Sequence, residues 1–217
     1  MRLPTDTEHH AIFGQNGSGK TVFGLWTLAQ RNFHEKPWVI LDFKRDPMIK
    51  QIARLEETNI KRSPPTHKGL YVTRPTPGDV DDGHVSRWLF DVWSQEDTGI
   101  FIDEGYMIKP MDRALRAVLT QGRSKHVPVI ALSQRPAWIS PFISSEASHF
   151  TVFYLQMPQD ISRVREYLPN ADPFNLPPHH SYHASMKTRE LTRLGPCPDE
   201  NEVLDMFDAR KVRRWFL

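Results

Sequence analysis

Eight consecutive residues, GQNGSGKT, carry the clearest chemistry in this sequence, because they match the pattern G-x-x-x-x-G-K-[ST] throughout. Glycines in such a loop let successive backbone N–H groups converge on phosphate oxygens, and the helix that follows adds a partial positive charge. Lys20 would reach the β and γ phosphates of a nucleoside triphosphate, and Thr21 would bind Mg²⁺. The alternative, a glycine-rich turn without a ligand, is disfavoured because an apolar run precedes the loop and a helical pattern follows it. We therefore predict ATP and Mg²⁺ as cofactors and a nucleotide-binding loop made of Gly14, Gln15, Asn16, Gly17, Ser18, Gly19, Lys20 and Thr21.

Two adjacent acids, Asp103 and Glu104, end the apolar run GIFIDE. Ligands gather at the carboxyl ends of strands in parallel sheets, so Asp103 is predicted to steady Mg²⁺ and Glu104 to polarise the water that attacks the γ-phosphate. Acids at a strand end can also serve solubility alone. Together with the phosphate-binding loop, however, the pair favours a hydrolysing enzyme over a kinase, because a kinase needs no carboxylate to activate water.

A glutamine and an arginine flank a later apolar run, VPVIALS. If this strand lies beside the strand of Asp103, Gln134 would face the γ-phosphate and report its presence through a hydrogen bond. Arg123 precedes the same strand and could reach the nucleotide of a neighbouring subunit, where a guanidinium neutralises developing charge. The alternative for Arg123 is an ordinary cation at a helix C-terminus. Whether Arg123 or Arg135 acts in this way stays open.

The elements that must position these residues alternate between short apolar runs and helical patterns. Apolar runs predict strands at His10–Phe13, Trp38–Phe43, Gly69–Thr73, Gly99–Asp103, Val127–Ser133 and Phe150–Gln156. Helical spacing predicts helices at Thr21–Phe33, Asp46–Leu55, His84–Trp93 and Met111–Gly122. This alternation is typical of an α/β fold with a mostly parallel central sheet flanked by helices.

Length and composition fit one globular domain without disulfides. The 217 residues include 28 Lys plus Arg, 26 Asp plus Glu, 39% hydrophobic residues and a single cysteine. No signal peptide pattern is present, and no apolar run approaches the roughly 20 residues that cross a bilayer. We expect a protein that is not secreted and not inserted in a membrane. We also expect a single domain over residues 1–217, with a core at about 8–168 and a C-terminal extension at about 169–217 that carries a small hairpin and a helix. The 18 prolines of the whole chain are expected to lie in exposed loops.

Three segments together resemble the FtsK/HerA superfamily of P-loop ATPases, over about residues 8–156. They are GQNGSGKT, the strand FIDE, and GRSKHVPVIALSQRP with its Gln-Arg-Pro; ILDFK is similar to the second strand of that family. The resemblance implies a RecA-like fold in which Lys20 and Thr21 bind nucleotide and metal, and in which Asp103 and Glu104 are the metal-linked acid and the base. It further implies that Gln134 is the sensor and that Arg123 acts across a subunit interface.

Members of that superfamily pump double-stranded DNA through oligomeric rings. Cellular members carry an additional N-terminal domain or membrane anchor, whereas the phosphate-binding loop here begins at Gly14. The sequence therefore looks most like the genome-packaging ATPases of icosahedral DNA viruses with internal membranes. The resemblance implies a homo-oligomeric ring, a hexamer or a pentamer, that packages DNA into a preformed capsid. It also implies a capsid or portal-vertex component as a partner, and the host cytoplasm or the virion as the location. The alternatives are a related motor for virion assembly, export or DNA transfer, and a nucleotide-controlled binding switch.

Because the net charge is only +2, any grip on DNA must be local. Candidate cations are Lys61, Arg62, His67 and Lys68 in one loop, Lys109 and Arg113 after the acidic strand, and Lys211, Arg213 and Arg214 near the end; solvated surface clusters are the plainer interpretation. No metal-binding spacing is present among the histidines, so we expect His9, His10, His179, His180 and His183 at the surface or in turns. Trp215–Leu217 would dock on a partner or pack on the protein's own core.

Overall fold

The computed structural model describes residues 2–53 and 55–212, with side chains described up to residue 208. Nine strands lie in this part of the chain: β1 His10–Phe13, β2 Pro37–Asp42, β3 Glu56–Glu57, β4 Gly69–Thr73, β5 Gly99–Asp103, β6 Val129–Ser133, β7 His149–Val152, β8 Ser181–Ser185 and β9 Glu190–Leu194. The α-helices here are α1 Lys20–Ala29, α2 Pro47–Gln51, α3 Pro77–Asp81, α4 His84–Gln95, α5 Arg113–Gln121, α6 Pro141–Glu146, α7 Pro158–Arg165 and α8 Glu200–Val212.

All nine strands join one sheet in the order β3-β4-β2-β5-β6-β1-β7-β8-β9. Every pair from β3 to β7 is parallel, and only the pairs β7–β8 and β8–β9 are antiparallel. The strand β6 therefore lies between β1 and β5, as the interpretation of Gln134 required. Because parallel strands end at the same edge, the residues that follow β1, β2, β5 and β6 meet there.

Hydrophobic cores cover both faces of the sheet, which is why its central strands are apolar in almost every position. Side chains of β2 alternate between the faces: Val39 and Leu41 pack with α4 and α5, whereas Trp38 and Ile40 pack with α1 and α2. The helix α1 lies close against β6, since a Cβ on Gly24 would stand 2.8 Å from Leu132 Cδ2. The α/β prediction with a mostly parallel sheet is confirmed.

Most predicted elements are present, with some differences in their bounds. The strand predicted from Val127 begins at Val129, because Pro128 has no N–H to donate to a ladder. The strand predicted to reach Gln156 ends at Val152, and the helix predicted to reach Phe33 ends at Ala29. Prolines lie not only in loops: α2, α3, α6 and α7 each have a proline at the start of the helix, where its missing N–H costs nothing.

The C-terminal hairpin is part of the main sheet. Its strand β8 pairs with β7 and so extends the sheet beyond its parallel part. The following helix α8 packs on α1, with Val203 and Phe207 buried and the Phe207 ring stacked 6.3 Å from Phe33. The described residues of this extension thus pack on the protein's own core. The predicted DNA cations Arg213 and Arg214, the side chain of Lys211, and the apolar end Trp215–Leu217 lie outside the described residues. The single-domain division at about residue 168 stays a prediction.

The expectation that His9, His10 and His183 lie at the surface is wrong, although His179 and His180 do lie in turns. His9 accepts a hydrogen bond from the Val129 N–H at Nδ1 and contacts the Leu119 carbonyl through Nε2, both at 3.0 Å. His10 and His183 both contact the Thr151 hydroxyl, at 2.8 and 2.9 Å. A neutral imidazole offers one donor and one acceptor, so it can satisfy two buried polar groups at once.

Acid is therefore expected to destabilise the fold through these histidines. Burial is the main cause that lowers the pKa of both His9 and His183 to about 4, from an ordinary 6.5. The unfolded chain then binds more protons than the folded chain between about pH 6.5 and 4, so the free energy of unfolding falls as the pH drops through this window. Thermal unfolding at several pH values should show this loss, and His9→Gln should reduce its slope while His67→Gln, an exposed control, should not. An unfolding temperature independent of pH between 6.5 and 4 would contradict the expectation.

Candidate active site

The phosphate-binding loop connects β1 to α1 at the carboxyl edge of the sheet. Gly17 and Gly19 adopt φ values of 75° and 94°, in the left-handed region that favours glycine. Backbone bonds hold the loop to its neighbours: Gly14 N–H donates to the Ser133 carbonyl at 3.2 Å, and Gln15 N–H to the Tyr154 carbonyl at 3.0 Å. The helix α1 begins at Lys20, so its first free N–H groups lie beside the loop. This is the strand, loop and helix arrangement that binds phosphate.

Three residues that follow strand ends, Lys44, Glu104 and Gln134, meet Lys20 of α1 beside the loop. Glu104 Oε1 accepts from Lys20 Nζ at 3.0 Å and from Lys44 Nζ at 2.8 Å, and its Oε2 accepts from the Gln134 backbone N–H at 3.0 Å. Glu104 is 1% exposed, and burial alone would raise its pKa. The Lys20 charge and the bonds from Lys44 and Gln134 outweigh burial and lower the pKa. The carboxylate is therefore held ionised next to Lys20.

The backbone of Glu104 supports a functional role for this position. Its φ and ψ are 64° and 68°, in the left-handed region that a residue with a Cβ rarely adopts. Such strain persists where the surrounding structure fixes it, and it concentrates at active sites. This conformation turns the chain sharply after β5, and the side-chain oxygens bond to Lys20 of α1 and to the residues after β2 and β6.

Asp103 is buried beside Glu104 but is bonded differently. Neither oxygen of its carboxylate has a hydrogen-bond partner among the described residues. Burial raises the pKa of Asp103 to about 7, and the Lys20 charge opposes the rise only in part. Asp42, its neighbour in register on β2, instead accepts from Arg74 Nε at 3.1 Å and from Asp46 N–H at 2.9 Å. Of these two buried acids, only Asp103 thus retains unused oxygens, which fits a divalent cation that would supply the missing charge.

Gln134 and Arg135 lie at the same edge, directly after β6. The Gln134 side chain donates to the Tyr106 hydroxyl at 3.1 Å and lines a cavity of about 430 Å³ with Gln15 and Asn16. Arg135 donates through Nε to the buried Asp160 carboxylate at 3.0 Å, and its guanidinium lies 3.7 Å from the centre of the Trp138 ring. Arg135 is therefore fixed to groups of its own chain.

Arg123 lies elsewhere. It is exposed in the turn between α5 and β6, at the amino ends of the strands, whereas the phosphate-binding loop lies at their carboxyl ends. The fold therefore separates Arg123 from the phosphate-binding loop of its own chain. A role at a neighbouring subunit stays a prediction, as do the roles of Lys20, Thr21, Asp103, Glu104 and Gln134.

Lys44 and Tyr106 contact the predicted site residues, although sequence patterns gave neither a role. For Lys44 the only signal was the resemblance of ILDFK to a family strand.

The candidate DNA cations Lys61 and Lys109 approach Asp79 and Asp81, at 3.3 and 3.8 Å. These two acids belong to α3, so two lysines that are distant in sequence approach one short acidic helix.

The fold and the site together define a P-loop NTPase with the buried Glu104 carboxylate beside Lys20. No family model matches the sequence. The DNA packaging ATPase P9 of Enterobacteria phage PRD1 is 36% identical to it over 224 residues, which cover 99% of this chain and 98% of P9. The chain belongs to the family of this packaging ATPase, and it is an ATPase.

Solved structures show the same fold at low sequence identity. The genome packaging NTPase B204 of Sulfolobus turreted icosahedral virus 2, in complex with ATP-γ-S, superposes with a TM-score of 0.69 and 15% identity, over 90% of this chain and 100% of B204. The pCW3 conjugation coupling protein TcpA superposes with a TM-score of 0.63 and 13% identity, over 97% of this chain and 67% of TcpA. Among the described residues, no helix is long and apolar enough to cross a membrane.

Proposed function

We propose that this chain couples ATP hydrolysis to the movement of double-stranded DNA into a preformed viral capsid. The observation that carries the proposal is the Glu104 carboxylate, which is held ionised beside Lys20 in a chain related over its full length to a DNA packaging ATPase. A nucleotide-controlled switch needs no such base, so the site favours turnover. Work at a capsid would place the protein in the host cytoplasm or in the virion.

Residues 14–21 would bind the phosphates of ATP, with the Lys20 ammonium on the β and γ groups. Glu104 would accept a proton from a water molecule while the oxygen of that water forms a bond to the γ-phosphorus. The bond from that phosphorus to the β–γ bridging oxygen breaks, which yields ADP and phosphate. Thr21 and Asp103 would hold Mg²⁺, which when bound neutralises charge on the phosphates. The unused oxygens of Asp103 support this assignment.

The remaining site residues fit a ring of identical subunits, a hexamer or a pentamer. Gln134 shares the strand edge with Glu104 and would sense the γ-phosphate. Arg123, exposed at the opposite edge, would act on the nucleotide of the adjacent subunit, where a guanidinium stabilises the transition state. Arg135 is the weaker choice for this role, because Asp160 and Trp138 already fix its guanidinium. A capsid or vertex component would anchor the ring.

Steady-state ATP hydrolysis measured against increasing duplex DNA tests the proposal. We expect the rate to rise with DNA to a plateau, and the rise to weaken with added salt, because cations must contact the phosphate backbone. Lys20→Ala should abolish hydrolysis with and without DNA. A slow rate of ATP hydrolysis that does not change with DNA would favour a nucleotide-controlled switch and would overturn the proposal of a DNA motor.

A further inference from the structure

A cavity of about 500 Å³ adjoins the phosphate-binding loop and extends beyond it. One wall is the loop together with Lys20 and Thr21. The opposite wall comes from the C-terminal extension, some 160 residues later in the chain, and consists of His179 and residues 196–200. A cavity of this volume lies within the range of roughly 300–1,000 Å³ that small-molecule sites occupy, which leaves room for more than a phosphate chain.

The two walls touch, so their spacing is fixed. A Cβ on Gly19 would stand 2.6 Å from Cys197 Sγ, and Gly19 also has a φ of 94°; only glycine fits this position on both counts. Cys197 N–H donates to the His179 carbonyl at 3.0 Å, which joins the two parts of the C-terminal wall. The burial of Val203 and Phe207 against α1 holds the wall in place.

Charge is distributed unequally along the cavity. The loop end carries Lys20 and backbone N–H groups, which attract phosphate. The C-terminal wall carries the carboxylates of Asp199 and Glu200, which repel it. Met48, Pro196, Cys197 and Pro198 add apolar surface to the same cavity.

This polarity sets the direction in which a nucleotide lies. We propose that the C-terminal wall, residues 196–200 with Met48, is the nucleoside subsite of the ATPase. The apolar surface would pack against the flat base, and the carboxylates would accept hydrogen bonds from the sugar hydroxyls and the amino group of adenine. The inference rests on the proposed function, because it assumes that phosphates occupy the loop. It assigns the binding of the base and the sugar of ATP to the C-terminal extension.

Cys197 is the only cysteine in the chain, so it reports on this wall in the unaltered protein. Its alkylation by N-ethylmaleimide would be measured at pH 8.5, since burial raises the pKa of the thiol. Three samples are compared: no ligand, a non-hydrolysable ATP analogue, and inorganic tripolyphosphate, each ligand at ten times its dissociation constant by calorimetry. At that concentration about 90% of sites are filled, so the ATP analogue should slow labelling about tenfold. Tripolyphosphate, which has no base, should slow it far less.

The possible outcomes distinguish a failure of the nucleoside subsite from a failure of the proposed ATPase function. If both ligands bind and protect Cys197 equally, or neither protects, the nucleoside subsite is overturned while the ATP site stands. If neither ligand binds, both proposals fail. A control carries Cys197→Ser with Ser94→Cys, which places the thiol on an exposed position of α4, on the other face of the sheet. Labelling of that control should not respond to either ligand; a tenfold response there would mean that a global change, and not contact with the base, protects cysteine.

Discussion

Replacing Glu104 with glutamine is expected to lower the ATP turnover number by about 10²–10⁴-fold, the usual contribution of a positioned general base. Glutamine keeps the size and shape of the side chain but cannot accept the proton from the attacking water. ATP binding should persist, because residues 14–21 are unchanged and the γ-phosphate would take over as the counter-charge for Lys20. Single-turnover measurements would report the effect on hydrolysis, and a separate binding titration would report the effect on ATP binding.

Glu35→Gln is the matched control for this substitution. Glu35 is exposed and precedes β2, at the edge of the sheet opposite the phosphate-binding loop, so its loss should leave turnover unchanged. Thermal unfolding of Glu104→Gln should be compared with the parent, because Lys20 and Lys44 then lose their common carboxylate partner. Turnover within a few-fold of the parent in a folded Glu104→Gln protein would show that another group activates the water.

The active site shows which kinds of residue can be found from sequence alone. The phosphate-binding loop is contiguous, so its eight positions can be recognised from the local sequence pattern alone. Asp103 and Glu104 are recognisable because they end an apolar strand. Lys44 carries no local signature, since its role depends on the strand order β2-β5-β6, which brings it to Glu104 across 60 residues of chain. The C-terminal wall is further still from the loop in sequence, and its position depends on the packing of α8 on α1.

The fold shows the same limit at the level of the core. Parallel strands buried on both faces are continuous apolar runs, so their type and approximate position follow from composition. Burial of polar residues does not follow in this way. His10 and His183 are buried because β7 supplies Thr151 between them, a pairing set by the order β1-β7-β8. The hairpin likewise reads as a separate extension, and only the free edge of β7 explains why it joins the sheet.

Replacing Lys44 with methionine is expected to move the acidic limb of the pH–rate profile to higher pH. Glu104 must be ionised to act as a base, and burial opposes that charge while Lys20 and Lys44 favour it. Once Lys20 engages the phosphates of ATP, Lys44 is the cation left to Glu104. Its removal should raise the pKa of Glu104, so turnover should fall about tenfold for each pH unit below the new pKa.

Two companion variants make the result specific to the charge. Lys44→Arg retains a cation within reach of Glu104 and should keep the acidic limb near its original pH. Lys50→Met removes an exposed lysine from the neighbouring helix α2 and should change nothing. Because full ionisation of Glu104 is recovered at high pH, turnover of Lys44→Met should approach that of the parent there. An equal loss at every pH would instead mean that Lys44 acts on the phosphates or on the structure of the site, and not through the ionisation of Glu104.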